Sequence, residues 1–150
     1  MPIKTFRGLI ADKAQETVSL HTNDGSMGYR IVKFEIMDNL PGQQDTNHVV
    51  KIYTVEQSDQ TGVVDFSDQT LLAAAMLRES VAAEDMPVSK TVINDRMIFN
   101  QDIYITHDDT LYSAATGKSC NYYLELEQVK LDLNENTVAT LKDIRNVQTQ

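Results

Sequence analysis

Apolar and polar residues alternate with a period of two through much of this chain, and that pattern limits the fold more than any other feature. The alternation runs through Glu16–His21, Gly28–Met37, His48–Val55 and Gln101–Thr106. Side chains that alternate in this way point to opposite faces of a strand, one of them buried. The strand signals follow one another at short spacing without a strand–helix–strand rhythm. We therefore expect a mostly β protein, either an antiparallel β-sandwich or a jelly roll.

Two of the strand segments carry finer predictions about faces and register. Val32, Phe34 and Ile36 share one face of their segment, and we expect that face to line the core. In Cys120–Leu133 the apolar residues change from even to odd positions part-way along the segment. A β-bulge near Glu127–Gln128 would account for this change of phase.

Three further segments determine whether the chain contains a helix in addition to strands. Gly62–Phe66 reads as a short strand. Gln69–Glu79 is ambiguous, because its three consecutive alanines favour a helix whereas its position among strands favours a buried strand. Asn134–Asn146 changes to a period of three and four, which predicts a short C-terminal amphipathic α-helix near residues 135–146. Residues 1–150 show no change of composition that would mark a boundary, so we expect a single β-rich domain.

The charge of the chain narrows the classes of partner. Thirteen Lys and Arg residues against 22 Asp and Glu residues give a net charge of −9. Affinity for phosphate comes mainly from clustered Lys and Arg, so this balance argues against direct nucleic-acid binding and against docking on anionic lipid. The longest apolar run, Leu71–Leu77, is far shorter than the roughly 20 residues that a membrane-spanning helix needs. We therefore expect no nucleic acid and no membrane among the partners.

The residues that most often carry chemistry do not form a recognisable motif. Three histidines, His21, His48 and His107, lie on separate segments without the close spacing typical of a zinc site. Cys120 is the single cysteine, so we expect an inert buried thiol, no intrachain disulfide and synthesis in a cytoplasm. Thr116–Ser119 resembles the end of a phosphate-binding loop but lacks its first glycine. The sequence thus predicts no enzyme, and no catalytic, cofactor-binding or metal-binding residue.

Five residues are candidates for contacts with a partner or a ligand. Tyr122 and Tyr123 are adjacent on a predicted strand, so one of them should point to the core and the other outward. Exposed tyrosines are common where subunits meet, and they also stack on sugar rings. Tyr104 belongs to the same aromatic group, and Asp108 and Asp109 lie in a segment, His107–Ser119, that we expect to be a loop.

Four stretches of the chain resemble a known group of proteins. Pro2–Asp12, Ile98–Ile105, Asn121–Leu133 and Thr137–Lys142 are similar to small proteins of marine bacteriophages, which resemble one another along nearly the whole chain and which we interpret as virion structural proteins. The resemblance carries over no catalytic residue. It implies a non-enzymatic virion protein, made in the host cytoplasm.

Within that group, a capsid decoration protein or minor capsid component is the leading hypothesis. Such a protein would bind other virion proteins, above all the capsid protein, and would form a homo-oligomer. A neck or tail ring component is one alternative. A carbohydrate- or receptor-binding β-sandwich module is another.

Overall fold

The computed structural model describes residues 2–20, 26–81 and 86–131, and these residues are folded entirely as strands, turns and loops. The mostly β prediction is confirmed. Eight strands lie within the described ranges. They are β1 Ile3–Ile10, β2 Ala14–Val18, β3 Met27–Asp38, β4 Thr46–Tyr53, β5 Leu71–Glu79, β6 Val88–Ile93, β7 Ile103–Asp109 and β8 Cys120–Lys130.

The eight strands form two antiparallel sheets. One has three strands in the order β1-β8-β3, and the other has five in the order β2-β7-β4-β5-β6. Neighbouring strands are therefore mostly distant in sequence. The first and last described strands pair with each other, and β2 pairs with β7.

Side chains from both sheets share one hydrophobic core. The three-stranded sheet contributes Ile10, Ile31 and Leu124, each with no exposed surface. The five-stranded sheet contributes Ile52 and Ile105, which are equally buried. Burial of each such side chain stabilises the folded state by about 1.5–3 kcal/mol relative to exposure. This shared core holds the facing surfaces of the two sheets together.

A register shift in β3 changes which residues face the core. Ile31 is fully buried, Val32 and Lys33 are both exposed, and Phe34 is buried again. The pairing of β3 with β8 shifts between Ile31 and Lys33, as expected where one strand carries an extra residue. Phe34 therefore faces the core as predicted and Ile36 packs partly against it, but the prediction for Val32 is wrong.

The bulge predicted in β8 is also wrong. The ladder between β1 and β8 runs from Ile3 opposite Glu127 to Ile10 opposite Cys120 without a shift. The irregularity belongs instead to the partner strand β3. The sequence pattern of β8 showed a change of phase but not which of two paired strands carries the extra residue.

The ambiguous alanine-rich segment is a strand. Within β5, Leu71 to Ala75 are all buried, because β4 and β6 flank the strand and the core covers it. Tertiary packing thus overrides the helix propensity of alanine. The short strand predicted at Gly62–Phe66 is wrong, since these residues form a loop in which Val63 and Phe66 are exposed.

The helix predicted near residues 135–146 lies outside the described residues. Among the residues that are described, none belongs to a helix with the length and apolar character required to cross a membrane.

Candidate functional site

The register of the strands brings four polar side chains together at one end of the two sheets. In the five-stranded sheet His107 of β7 lies opposite Val50 of β4, so His48, two residues from Val50, shares its face. In the three-stranded sheet Asp38, the last residue of β3, lies opposite Cys120, the first residue of β8. All four of these polar residues have no exposed surface.

A chain of hydrogen bonds joins three of them. His48 Nε2 lies 2.7 Å from Asp38 Oδ1, and His48 Nδ1 lies 2.8 Å from His107 Nε2. His107 Nδ1 lies 2.9 Å from the carbonyl oxygen of Ala11. Gln44 Nε2 donates to both carboxylate oxygens of Asp38 at 3.1 Å. The chain therefore runs without a break from a carboxylate, through two imidazoles, to a backbone carbonyl.

The acceptors in this chain fix where its protons lie. A carbonyl oxygen can only accept, so His107 carries a proton on Nδ1. Three hydrogen bonds need three protons, whereas two neutral imidazoles supply two. A third proton therefore lies on the Asp38–His48–His107 group, and it makes the group electrically neutral as a whole. A neutral group is far cheaper to bury than an uncompensated carboxylate.

Burial also sets the protonation of two of the side chains. Desolvation lowers the pKa of His107, while its hydrogen bond to Ala11 acts in the opposite direction. Desolvation raises the pKa of the Cys120 thiol to about 12, and the nearby Asp38 carboxylate acts in the same direction. The Cys120 Sγ lies 3.7 Å from the carbonyl oxygen of Met37 and 3.5 Å from that of Asn121. In the absence of a cation, Cys120 is thus a neutral thiol at ordinary pH.

The two adjacent acids Asp108 and Asp109 are not in a loop, and this prediction is wrong. They end strand β7 and are buried, because β7 continues three residues further than the apolar pattern suggested. Asp108 forms an ion pair with Lys13 at 2.6 Å. That contact is the largest cause of a raised pKa at Lys13. The negative charge of the buried Asp108 is therefore compensated by the partly exposed Lys13 ammonium group.

Asp109 and Asp12 organise the loop after β7. Asp109 accepts hydrogen bonds from the backbone N–H groups of Asn47 at 3.1 Å and Lys118 at 3.0 Å. Asp12 accepts from the N–H groups of Asp109 at 2.7 Å and Gly117 at 2.9 Å. The carboxylates satisfy buried backbone donors, as buried polar groups generally must. In this structure the two carboxylates hold the loop in place through these hydrogen bonds.

The three candidate tyrosines lie in three different environments. Tyr122 is buried and donates to Glu16 Oε2 at 2.6 Å, and desolvation together with this bond raises its pKa. Tyr123 points to the opposite face, where it is half-buried and donates to Glu125 Oε2 at 2.6 Å. Tyr104 is half-buried on β7, and desolvation raises its pKa. The expected inward and outward division of Tyr122 and Tyr123 is thus present, and the structure does not bring Tyr104, Tyr122 and Tyr123 into one aromatic platform.

Tyr123 belongs to a shallow groove on the outer face of the three-stranded sheet. In the ladder it lies between Arg7 of β1 and Glu35 of β3. The adjacent row places Leu9 and Met37 on either side of a β8 residue, and they are 48% and 60% exposed. We call Arg7, Leu9, Glu35, Met37 and Tyr123 the Tyr123 face. These residues help line a groove of about 510 Å³.

Sequence reasoning missed the cluster of His48, His107 and Cys120. The three residues come from strands that are distant in sequence, so no local spacing marks them. One signal was present, because His48 shares its strand face with Val50 and Ile52, both fully buried. A titratable residue on an apolar face is a signal to look for buried polar partners.

Comparison with known protein families finds no family model that matches the chain, and comparison with curated proteins finds no match either.

Proposed function

We propose that this protein is a non-enzymatic structural protein of a phage virion, a capsid decoration protein or minor capsid component that binds neighbouring subunits. The phage assignment rests on the sequence resemblance described above. The contact function rests on the geometry of the Tyr123 face.

The strand order supports a jelly-roll sandwich as the framework. Three pairs, β1 with β8, β2 with β7 and β4 with β5, nest within one another as in a long hairpin that has been wrapped into two sheets. Jelly rolls of eight strands occur in viral capsid proteins and in lectins. Because one fold serves many functions, this likeness is compatible with the proposal and does not by itself select it.

The Tyr123 face is the observation that carries the contact proposal. It combines a half-buried tyrosine with two exposed apolar side chains, Leu9 and Met37, on the outer face of the three-stranded sheet. Tyrosine and methionine are enriched in the buried centre of protein interfaces. Burial of these apolar groups against a partner would remove their surface from water.

The charges on this face suit a symmetric contact. Arg7 and Glu35 flank Tyr123 on opposite sides, one on β1 and the other on β3. In a two-fold contact the same patch meets itself, and an axis that runs along β8 at Tyr123 would place Arg7 of one copy near Glu35 of the other. Opposite charges at the rim fix the register of such a contact and steer the encounter. The face is therefore compatible with the homo-oligomer that we propose.

A substitution at an exposed apolar residue of the face tests the contact function. Met37→Asp places a charge in the proposed interface, and we expect it to weaken self-association by about tenfold or more in sedimentation experiments, the effect of removing a substantial contact. Phe66→Asp is the matched control, since Phe66 is 68% exposed and lies in the loop between β4 and β5 of the other sheet. Equal association of both variants and the unmodified protein would contradict the proposal, as would a monomer at all concentrations.

The virion assignment has its own test. Quantitative mass spectrometry of purified particles should detect the chain in a fixed ratio to the capsid protein, set by capsid geometry. A count of about six or twelve copies per particle would support the neck or tail ring in its place, because closed rings have such symmetry. Absence of the chain from purified particles would contradict any virion role.

A carbohydrate- or receptor-binding role is the second candidate, and the groove beside Tyr123 is the observation that favours it. An aromatic ring at the edge of a groove of about 510 Å³ offers a surface on which a sugar ring stacks. Asp108 and Asp109 do not extend this surface, because both are buried. Binding on a glycan array that is lost in Tyr123→Ala would favour this candidate, and an array without binding would count against it.

A further inference from the structure

His48, His107 and Cys120 place three possible metal-binding atoms near one another in the interior. One ring nitrogen of each imidazole and Cys120 Sγ all lie within 4.8 Å of one another, and His48 Nδ1 lies 2.8 Å from His107 Nε2. The two imidazoles come from the five-stranded sheet and the thiol from the three-stranded sheet. Imidazole nitrogen and thiolate sulfur are both ligands that bind Zn²⁺ in proteins.

The opposite sides of both imidazoles are already occupied in the way that metal ligands require. His48 Nε2 meets the Asp38 carboxylate at 2.7 Å, and His107 Nδ1 meets the carbonyl oxygen of Ala11 at 2.9 Å. A histidine that binds a metal almost always donates its other N–H to a carboxylate or carbonyl, which fixes the tautomer and the ring orientation. Gln44 holds Asp38 in turn through both carboxylate oxygens. The outer partners of a metal site are therefore in place.

The charges of the site balance for a divalent ion. In the metal-free protein one proton lies between His48 Nδ1 and His107 Nε2, which are 2.8 Å apart. Binding of a divalent ion would displace that proton and the proton of the Cys120 thiol, so two protons leave as two positive charges enter. The Asp38 carboxylate and the Cys120 thiolate then offset the ion. Pairing the ion with these two negative charges offsets the desolvation free energy of burying it.

The three side chains must shift to hold an ion, because the two nitrogens are hydrogen-bonded to each other and the three ligand atoms lie up to 4.8 Å apart, whereas ligands of one tetrahedral Zn²⁺ ion lie roughly 3.3–3.6 Å apart. Zn–N bonds of about 2.0–2.1 Å at a tetrahedral angle place the two nitrogens roughly 3.3 Å apart. The observed separation of 2.8 Å requires the rings to move apart by about half an ångström. Three protein ligands leave the fourth position of the ion for a water molecule.

We propose that His48, His107 and Cys120 form a binding site for a single Zn²⁺ ion, which links the two sheets from the inside. The site is separate from the Tyr123 face and does not depend on the proposed contact function. Asp38 is a positioning residue in it, because it acts through His48 and contributes no ligand atom.

Titration with Co²⁺ as a spectroscopic substitute tests the proposal on the intact protein. Reduced, chelator-treated protein should bind one equivalent of Co²⁺, with a thiolate-to-cobalt absorption band, and Zn²⁺ should displace it. Because the site is fully buried, the ion should be supplied both to the folded protein and during refolding. Cys120→Ser should abolish the thiolate band. His21→Gln, at the third histidine of the sequence, is the matched control and should bind like the unmodified protein.

Two further measurements keep the proposal testable if the cysteine variant does not fold. X-ray absorption of the unmodified zinc protein should show one sulfur at about 2.3 Å and nitrogen at about 2.0–2.1 Å. Asp38→Asn should weaken Zn²⁺ binding by about 10- to 100-fold, the usual effect of losing an outer partner. Failure to bind stoichiometric Zn²⁺ by either route would overturn the proposal, and so would zinc coordination without sulfur.

Discussion

Asp38 supports the buried hydrogen-bond chain, and its replacement by Ala or Asn should have very different costs. Asp38→Ala removes the carboxylate that lies 2.7 Å from His48 Nε2 and that accepts two hydrogen bonds from Gln44 at 3.1 Å. The fully buried His48 imidazole then has no carboxylate partner. Leaving this buried ring nitrogen without a partner, together with the cavity, costs about 2–4 kcal/mol of unfolding free energy.

Asp38→Asn should cost only about 1–2 kcal/mol, because it replaces charge-assisted bonds by neutral ones. The Asn amide can donate to His48 Nε2, and the neutral ring then donates from Nδ1 to His107. The extra proton is no longer needed, so no unpaired charge remains in the interior. Only part of the contact with Gln44 is lost.

Urea unfolding at pH 7 in the presence of a chelator measures both variants without interference from metal ions. With a slope of about 1–3 kcal/mol per molar urea, a difference of roughly 2 kcal/mol moves the midpoint by about 1 M. Glu56→Ala, at an exposed acid, is the control and should change stability by about 0.5 kcal/mol or less. Equal costs for Ala and Asn at position 38 would refute this reasoning, since it predicts that Asn can complete the chain and Ala cannot.

Three other predictions concern the core, the loop and the pH range of stability. Leu124→Ala, at a fully buried position, should cost about 2–5 kcal/mol in thermal or urea unfolding. Gly117→Ala should destabilise the fold, because its Cβ would lie 2.6 Å from Asp109 Cβ and 2.7 Å from Asp12 Oδ2; a midpoint equal to that of the unmodified protein would contradict this. Burial raises the pKa of Tyr53 to about 12. The buried, protonated side chain therefore contributes its full share of the unfolding free energy below pH 10, and this share is lost as the pH rises from 10 to 12. Tyr53→Phe should therefore make stability less dependent on pH in that window, by about 1 kcal/mol.

The fold class was predictable because it depends on a local pattern, whereas the site depends on register. Alternation identified the strand containing His48 and the opposite orientations of Tyr122 and Tyr123. The bulge at Val32 was not predictable, because either of two paired strands can absorb an extra residue. Asp38 and Cys120 meet because β3 and β8 pair, and a single sequence contains no signal for that pairing. Leu71–Glu79 was ambiguous for the same reason, since its packing between β4 and β6 makes it a strand and not a helix.

The place of β8 in its sheet has a consequence for how the protein is made. β8 is the central strand of the order β1-β8-β3, although it is the last of the described strands to leave the ribosome. β1 and β3 are not neighbours, so a nascent chain that ends before Cys120 contains both outer strands and no partner for either within this sheet. Pairing between distant segments is slow, and unpaired strands are prone to aggregate. The three-stranded sheet, and with it the meeting of Asp38 and Cys120, can therefore form only after nearly all of the described chain has been synthesised.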